Sequence, residues 1–418
     1  MTGDSPAPRA DFAIWQAMSS QTLLPFAVAE GLQPKPNQDR VELLAALLEQ
    51  RLAAGGTVHA EGVLDVLPEG FAFLRTRQLA YAVDPADVYV SPSQVRAFDL
   101  RAGHRLSGPV RPPKRGERYF ALVSIDRVNG EPAENWRSVL PFGSRTPLLP
   151  TERLRLGHEH AAIDLRAIDL LAPWGKGQRV LLTAPPAWPR TDLLARIATA
   201  LAHNHRELQL VVCLLDQRPE DTTAARRALA NVARCEVLAT TFDEPPARHV
   251  ALAEIVAAAC QREVEADRDV VLLIDSLTAL ARACHLVNPP SGRLLCAGLD
   301  ASATQRGKRL FASARACEEG GSLTVIATAL AGTDSPIDAA IAAEFQHRGN
   351  SEVVVDPALA AAGVEPPLDV QRTATRCFDE IGPRAEVAAR ARWRQELAAL
   401  PPAERLARVL AALPVHGQ

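Results

Sequence analysis

Apolar runs of strand length, separated by helical stretches, fill the chain from about residue 170 onward. The runs are RVLLTAP, LQLVVCLLD, CEVLAT, DVVLLID and SLTVIATAL, and the stretches between them include TDLLARIATALAHN, EDTTAARRALANVA and RHVALAEIVAAACQRE. Apolar strands with helical crossovers are typical of a sheet that helices cover on both faces. The pattern predicts a largely parallel α/β sheet, followed from about residue 385 by a helical segment.

The first third of the chain carries a different pattern. From about residue 21 to 55 it is helical, with Asn37 or Asp39 as the candidate N-cap and Gly55 as the stop signal. From Glu61 to about Asn129, short alternating runs are broken by Gly, Pro and Asp: GVLDVL, FAFLR, VYVS and YFALVSI. These runs predict the strands of a small barrel.

Composition restricts where a nucleic-acid site could lie. The formal net charge is -3, so any such site must be a local basic patch. No apolar run approaches the roughly 18–20 residues that span a bilayer, and the polar N-terminus has no signal-peptide core. The seven cysteines show no metal-ligand spacing. We therefore expect a cytoplasmic protein with reduced thiols and no membrane partner.

The predicted barrel carries aromatic and charged side chains in alternation. Because strand side chains repeat every two residues, one face collects a candidate set: Phe71, Phe73, Arg75, Asp87, Tyr89, Glu117 and Tyr119. Aromatic rings stack on bases and arginine neutralises phosphate, while carboxylates accept from an amino group such as cytosine N4. The run RPPKRGER adds local positive charge. The alternative is that Phe71 and Phe73 are core residues.

A degenerate phosphate-binding loop follows the first strand of the α/β region. Pro189, Arg190 and Thr191 stand where such a loop ends in GKT or GKS. Pro189 has no N–H to offer a phosphate, and it replaces a glycine that lets the backbone approach closely. The planar fork of Arg190 does not fill the slot of an ammonium, and Trp188 adds bulk beside it.

Two further strand ends bear on catalysis. Asp275 ends DVVLLID and is a suitable carboxylate for Mg²⁺, although it could simply cap the strand. Gln217 follows CLLD, where a hydrolysing enzyme needs a carboxylate to orient and deprotonate water. A glutamine has the same shape but cannot accept the proton at neutral pH.

Long strings of the chain resemble the bacterial transcription termination factor Rho family. They include EGVLDVLPEGFAFLR, DPADVYVSPSQVRAFDLRAGHRLSGPVRPPKRGERYFALVSIDRVN, LLDQRPED, TTFDEPPARHV, LLIDSLTALARA and EEGGSLTVIATAL, and the likeness runs from about residue 21 to about 385. The resemblance implies a multidomain α/β protein with these parts: a disordered tail (1–20), an N-terminal helical subdomain (21–58), an OB-fold RNA-binding barrel (59–129), a linker (130–160), a RecA-like P-loop NTPase-type domain (161–385) and C-terminal helices (386–418).

The resemblance also implies a hexameric ring that binds C-rich RNA in its barrels and uses ATP and Mg²⁺ at subunit interfaces. It places the seven barrel residues in the primary RNA site. The segment PPSGRLLCAGLD resembles the RNA-contacting pore loop, with these residues: Arg293, Leu294, Leu295, Cys296, Ala297 and Gly298. The segment ALAGTDSPID resembles the second pore loop, but Pro336 replaces its usual lysine.

The nucleotide site implied by the resemblance is heavily altered. Its positions are Gly175, Lys176, Gly177, Gln178, Arg179, Val180, Ala187, Trp188, Pro189, Arg190, Thr191, Asp192 and Arg218. Thr191 and Asp275 match the Mg²⁺ ligands, and Arg376 resembles an arginine finger. Arg190 replaces the phosphate lysine and Gln217 the catalytic glutamate. Gly363 replaces a second interface arginine, and Asp192 and Glu365 replace the Met and Phe beside adenine.

Three functions remain open at this stage. The first is an active RNA-dependent ATPase and translocase that terminates transcription despite its unusual site. The second is a Rho-like RNA-binding protein that cannot hydrolyse ATP and either modulates rings of authentic Rho or holds RNA on its own, with RNA polymerase as a further partner. The third is a monomeric RNA-binding protein that has lost ring assembly. The loss of both loop residues and the general base favours the second hypothesis.

Overall fold

A computed structural model describes residues 10–35, 38–158, 160–376, 381 and 384–413. The chain divides into two compact units. The first comprises Met1–Leu140 and Ile255–Ala266, and the second comprises Pro141–Glu254 and Asp267–Gln418. Among the described residues, no helix combines the length and the apolar character needed to cross a membrane.

Three capped helices begin the first unit. They are α1 (Phe12–Ala17), α2 (Ser20–Ala29) and α3 (Arg40–Ala53), and the side chains of Asp11, Ser19 and Asp39 accept a hydrogen bond from the first turn of each. Asp39 is thus the N-cap of α3, whereas the other candidate, Asn37, lies outside the described residues. Gly55 follows the end of α3 with a φ of 77°, which confirms the predicted stop.

The prediction of a disordered tail over residues 1–20 is wrong for residues 10–20. Strand β1 (Ala10–Asp11) pairs with residues 58–59, and α1 buries Phe12 and Trp15 on one helix face. The Phe12 ring packs against Phe120 with centroids 4.8 Å apart. Two large aromatics three residues apart on one helical turn supply enough apolar surface to dock the segment. Residues 1–9 lie outside the described part.

A closed five-stranded barrel completes the first unit and confirms the predicted one. Its strands are β2 (Val58–Val66), β3 (Ala72–Arg75), β4 (Val88–Val90), β5 (Arg105–Arg111) and β6 (Phe120–Leu122). Antiparallel pairs β2–β3, β3–β4, β5–β6 and β2–β5 and the parallel pair β4–β6 close the circle. Helix α4 (Pro92–Ala97) connects β4 to β5, and the short strands β7 (Arg127–Val128) and β8 (Glu131–Pro132) extend one edge.

The second unit is built on a mainly parallel sheet. After β9 (Pro147–Leu148), β10 (Arg153–Leu154) and β11 (Trp174–Gly175) come the six parallel strands: β12 (Arg179–Ala184), β13 (Gln209–Gln217), β14 (Cys235–Thr241), β15 (Asp269–Asp275), β17 (Ser322–Leu330) and β18 (Ser351–Val354). Their order is β14-β13-β15-β17-β12-β18. The antiparallel strands β16 (Arg315–Cys317) and β19 (Ala374–Thr375) pair with β17 and β18. The five predicted apolar runs are β12, β13, β14, β15 and β17.

Helices connect these strands and end the chain. They are α5 (Ile163–Leu171), α6 (Arg190–Asn204), α7 (Pro219–Leu229), α8 (Pro246–Glu265), α9 (Leu277–Val287), α10 (Gln305–Ala312), α11 (Pro336–Phe345), α12 (Pro357–Ala361), α13 (Arg384–Ala398) and α14 (Pro402–Ala412). Arg394 of α13 donates to the carbonyls of Leu171 (3.1 Å) and Val370 (3.2 Å). These bonds tie the predicted C-terminal helices to the second unit.

Truncating Phe12 tests the docking of α1. Phe12→Ala should lower the free energy of unfolding by about 3–5 kcal/mol, because a fully buried ring is removed from a packed core. Ile14→Ala in the same helix is the matched control, since Ile14 is 52% exposed and should change stability by less than about 0.5 kcal/mol. Urea unfolding of the full chain measures both. Equal changes in the free energy of unfolding for the two variants would mean that Phe12 does not anchor α1.

Candidate nucleic-acid cavity and nucleotide site

An aromatic cavity of about 480 Å³ opens on the barrel. Its lining contains five of the seven predicted site residues: Phe71, Phe73, Tyr89, Glu117 and Tyr119. Leu67, Arg111, Arg118 and Ala121 complete the lining. The sequence analysis did not select these four individually, although the run RPPKRGER contains both arginines.

The rings in this cavity form a graded surface. Phe71 is 51% exposed and Tyr119 is 40% exposed, whereas Phe73 is 8% exposed. Phe73 meets Tyr119 edge-on at 4.9 Å and Tyr89 edge-on at 5.8 Å. Phe71 is therefore not a core residue, and Phe73 forms the cavity floor. Exposed and half-exposed rings at this spacing provide π-faces on which bases can stack.

Glu117 is an ionised hydrogen-bond acceptor at the rim. Arg111 binds it with both nitrogens, Nη1 to Oε2 at 2.6 Å and Nη2 to Oε1 at 3.1 Å. The backbone N–H of Lys114 donates to Oε2 at 3.0 Å. The hydrogen bond from Arg111 and then that from Lys114 lower the pKa of Glu117 to about 2. The side chain therefore presents a fixed anion to a base amino group at neutral pH.

Arg75 and Asp87 lie beneath the cavity rather than in its lining. Both are buried, at 4% and 2% exposure, and Arg75 Nη1 donates to Asp87. Arg75 Nε and Nη2 donate to Asp65 Oδ2 at 2.9 and 2.8 Å. The guanidinium carbon lies 5.4 Å from the centroid of the Phe73 ring. The prediction that Arg75 neutralises phosphate does not fit this placement, because strand β3 turns it inward to satisfy two carboxylates.

The loop after β12 has little capacity to donate hydrogen bonds to a phosphate. Pro185, Pro186 and Pro189 have no amide hydrogen. The N–H of Trp188 donates to Pro185 O at 3.2 Å, and that of Arg190 donates to Trp188 O at 2.8 Å. The Trp188 ring joins the hydrophobic core of the second unit. Backbone N–H groups at a helix N-terminus are what usually hold phosphate, and most of this loop lacks them.

The Arg190 side chain folds back over this loop. Nη1 donates to the carbonyls of Pro185 (3.3 Å) and Pro186 (3.1 Å), and Nε donates to Asp275 Oδ1 at 3.3 Å. Asp275 is fully buried. The Arg190 guanidinium therefore balances the buried charge of Asp275. In a site with bound Mg²⁺, the metal ion would balance that charge instead.

Hydroxyl groups and an amide complete the surroundings of Asp275. Thr191 Oγ1 donates to Oδ2 at 2.9 Å, and Thr328 Oγ1 donates to Oδ1 at 2.7 Å. Gln217 Nε2 donates to the backbone carbonyls of Leu215 (2.9 Å) and Asp275 (3.3 Å). Thr328 was missed by the sequence analysis, because a threonine inside an apolar strand carries no signal of its own. Gln217 thus links the ends of β13 and β15 and offers no general base.

Residues 175–180 lie at the other end of β12 from the phosphate loop, roughly 20 Å away for six strand residues. Gly175 N donates to Gln178 Oε1 at 2.6 Å. Lys176 pairs with Glu152, Asp269 and Glu207 at 2.8, 2.8 and 3.3 Å. The prediction that this segment binds nucleotide is not supported by its position, because these bonds use its polar groups to hold the base of the sheet.

The remaining predicted nucleotide residues are dispersed on the surface. Asp192 pairs with Arg196 of its own helix at 3.0 Å, and Arg218 is the exposed N-cap of α7. Ala187 is exposed in the loop. Arg376 is exposed, and its Nη2 contacts His347 Nδ1 at 3.0 Å. The Arg376 side chain therefore lies at the surface of the second unit, against His347.

The predicted pore loop is an exposed, ordered turn. Leu294 is 70% exposed, and Leu294 and Asp300 form a bridge at its base. Asp300 accepts hydrogen bonds from Ser291 N and Ser302 N, both at 2.8 Å. Ala297 and Gly298 turn the tip with φ of 60° and 77°. At the second loop, Pro336 begins α11.

Comparison with known proteins identifies both units. Residues 60–134 match the family described as "Rho termination factor, RNA-binding domain", and residues 164–375 match "ATP synthase alpha/beta family, nucleotide-binding domain". The fold of a type III secretion system ATPase covers 63% of this chain and 73% of its own, with a TM-score of 0.53 and 23% identity. These matches define the class: an RNA-binding barrel joined to a nucleotide-binding α/β domain of the ATPase type.

Full-length relatives narrow the class to one family. "Transcription termination factor Rho" of Chromobacterium violaceum is 45% identical over 87% of this chain and 87% of its own. The protein of the same name from Pseudomonas aeruginosa is 44% identical over 85% and 84%. The chain belongs to the transcription termination factor Rho family.

In the described part of the chain, no three His, Cys, Asp or Glu side chains are grouped to hold a metal.

Proposed function

We propose that this protein binds C-rich single-stranded RNA in the barrel cavity and acts in transcription termination without hydrolysing ATP. The observation that carries the proposal is the contrast between its two sites. The barrel presents stacking rings and an ionised acceptor in one cavity. At the nucleotide site, the cation position beside Asp275 is taken by Arg190.

The chemistry of the cavity supports recognition of cytosine. Phe71 and Tyr119 offer exposed ring faces, and Glu117 can accept from the exocyclic amino group that cytosine has and uracil lacks. Arg111 and Arg118 line the same cavity and can attract the backbone phosphates. A net acidic chain thus binds RNA through a local basic rim.

The altered loop supports the absence of hydrolysis. Binding of Mg²⁺ and a triphosphate would require Arg190 to release Asp275 and two loop carbonyls. The general base is also missing, because Gln217 is neutral and its amide is bonded to two backbone carbonyls. Each loss alone reduces phosphoryl transfer by orders of magnitude.

An inactive subunit can still act on a ring. The family resemblance implies a hexamer in which Arg376 and the loop Arg293–Gly298 face neighbours and RNA, and both are exposed here. We therefore propose that the chain forms homo-hexamers or mixed rings with authentic Rho, and thereby modulates termination. RNA polymerase is a further expected partner.

An active ATPase and translocase is the second candidate. The expected Mg²⁺ ligands Thr191 and Asp275 are retained, and Thr191 Oγ1 lies 2.9 Å from Asp275 Oδ2. Arg376 is retained as well. The relatives that cover most of this chain bear the name of the transcription termination factor itself.

Removing the cavity floor tests RNA binding. Phe73→Ala should weaken binding of oligo(C) by about 1–3 kcal/mol, because a base–aromatic contact and the edge-on packing of Tyr119 are lost. Phe242→Ala is the control, since Phe242 is 62% exposed in the second unit. Fluorescence anisotropy with labelled oligo(C) measures both. Unchanged affinity of Phe73→Ala would contradict the proposed cavity.

Thermal stability tests nucleotide binding. Millimolar ATP with Mg²⁺ should leave the melting temperature unchanged, because only a ligand that binds the native state stabilises it. The relative from Chromobacterium violaceum, measured in parallel, is the positive control. A clear ATP-dependent rise in this chain would show that Arg190 yields to nucleotide and would contradict the proposed occupation of the cation position by Arg190.

A further inference from the structure

Gln16 connects helix α1 to the network under the RNA cavity. Its side chain is fully buried, and Nε2 donates to Asp87 Oδ1 at 3.0 Å. The contact joins residues 71 positions apart in the sequence. Because Asp87 can only accept when ionised, the donor is the amide nitrogen, which fixes the orientation of the Gln16 amide.

Asp87 is linked through Arg75 to Phe73, the floor of the cavity. Its second oxygen accepts from Arg75 Nη1 and from the backbone N–H of Asp84, the latter at 2.8 Å. Arg75 in turn lies against the Phe73 ring, 5.4 Å from its centroid. A continuous path of direct contacts therefore runs from Gln16 through Asp87 and Arg75 to Phe73.

Arg40 holds Gln16 in place at the main chain. Its Nη2 donates to Gln16 O, and its Nε donates to Met18 O at 3.0 Å. The same guanidinium pairs with both oxygens of Asp84, at 3.1 and 3.2 Å. Helix α1 and the turn that carries Asp87 are therefore fixed to each other through one arginine.

The buried amide of Gln16 is satisfied at its nitrogen only. Within the described part of the chain, Gln16 Oε1 is buried and has no hydrogen-bond partner. An unpaired buried carbonyl costs free energy, whereas a methionine of the same length and similar shape would carry none. What Gln16 contributes that a methionine could not is therefore its hydrogen bond to Asp87.

We propose that Gln16 is a positioning residue for RNA recognition, acting through Asp87 and Arg75 on the Phe73 ring. The inference rests on the proposed function of the cavity and adds a positioning residue outside its lining. Burial raises the pKa of Asp87 above its ordinary value, against the opposing effects of the backbone N–H of Asp84 and of Arg75. Without the Gln16 donor, the carboxylate loses a bond that favours its charged form, and its hold on Arg75 weakens.

The test compares Gln16→Met with Gln21→Met, an exposed glutamine on α2. Gln16→Met should bind oligo(C) about 3- to 10-fold more weakly, the loss expected for one hydrogen bond, even though it remains folded at the temperature of the measurement. Gln21→Met should leave the affinity unchanged. Binding is measured by anisotropy, at a temperature at which every variant is folded.

A double-mutant cycle with Asp87→Asn tests the route. If Gln16 acts through Asp87, Gln16→Met should have no further effect on oligo(C) affinity in the Asp87→Asn background. Additive losses would overturn the proposed path. Unchanged oligo(C) affinity of Gln16→Met, or a loss that only parallels unfolding, would overturn the positioning role. Failure of the unmodified chain to bind oligo(C) would instead refute the proposed function, and this inference with it.

Discussion

The contact between Arg190 and Asp275 sets the charge balance at the centre of the nucleotide-binding half. A carboxylate buried at the end of a central parallel strand needs a positive partner, and in a working site that partner is a metal ion bound with nucleotide. Here the side chain at the start of α6 supplies the charge. The same side chain binds the carbonyls of a proline-rich loop. The charge of Asp275 is thus compensated by a side chain of the same unit.

The barrel uses a buried ion pair differently. Arg75 is neutralised by Asp65 and Asp87, so its charge is not offered to RNA. It instead lies under the Phe73 ring and fixes the floor on which the exposed rings stand. In the cavity lining, exposed charges are carried by Glu117, which Arg111 holds, and by Arg118. Packed rings and a hydrogen-bonded acceptor would lose little conformational freedom when RNA binds. A small loss of this kind favours affinity.

Periodicity and motifs predicted the sheet, the barrel and five of the nine residues that line the cavity. They succeeded because Phe71, Tyr89 and Tyr119 combine strand alternation with unusual chemistry. They did not predict the burial of Arg75, because alternation gives the face of a strand but not whether neighbouring carboxylates pair with the side chain. The docking of α1 was missed because Phe12 and Trp15 are too few residues to reveal a helical period. The fold-back of Arg190 depends on tertiary contacts with Asp275, which no local pattern encodes.

Phosphate release from ATP, with and without saturating oligo(C), tests the central claim most directly. The account predicts no RNA-stimulated release by the unmodified chain under conditions in which it binds oligo(C). The variant carrying Pro189→Gly, Arg190→Lys and Gln217→Glu is the informative comparison, since it restores the loop glycine, the ammonium and the base. RNA-stimulated turnover that appears only in that variant would support the account. Robust turnover by the unmodified chain would contradict it and would identify a working termination motor.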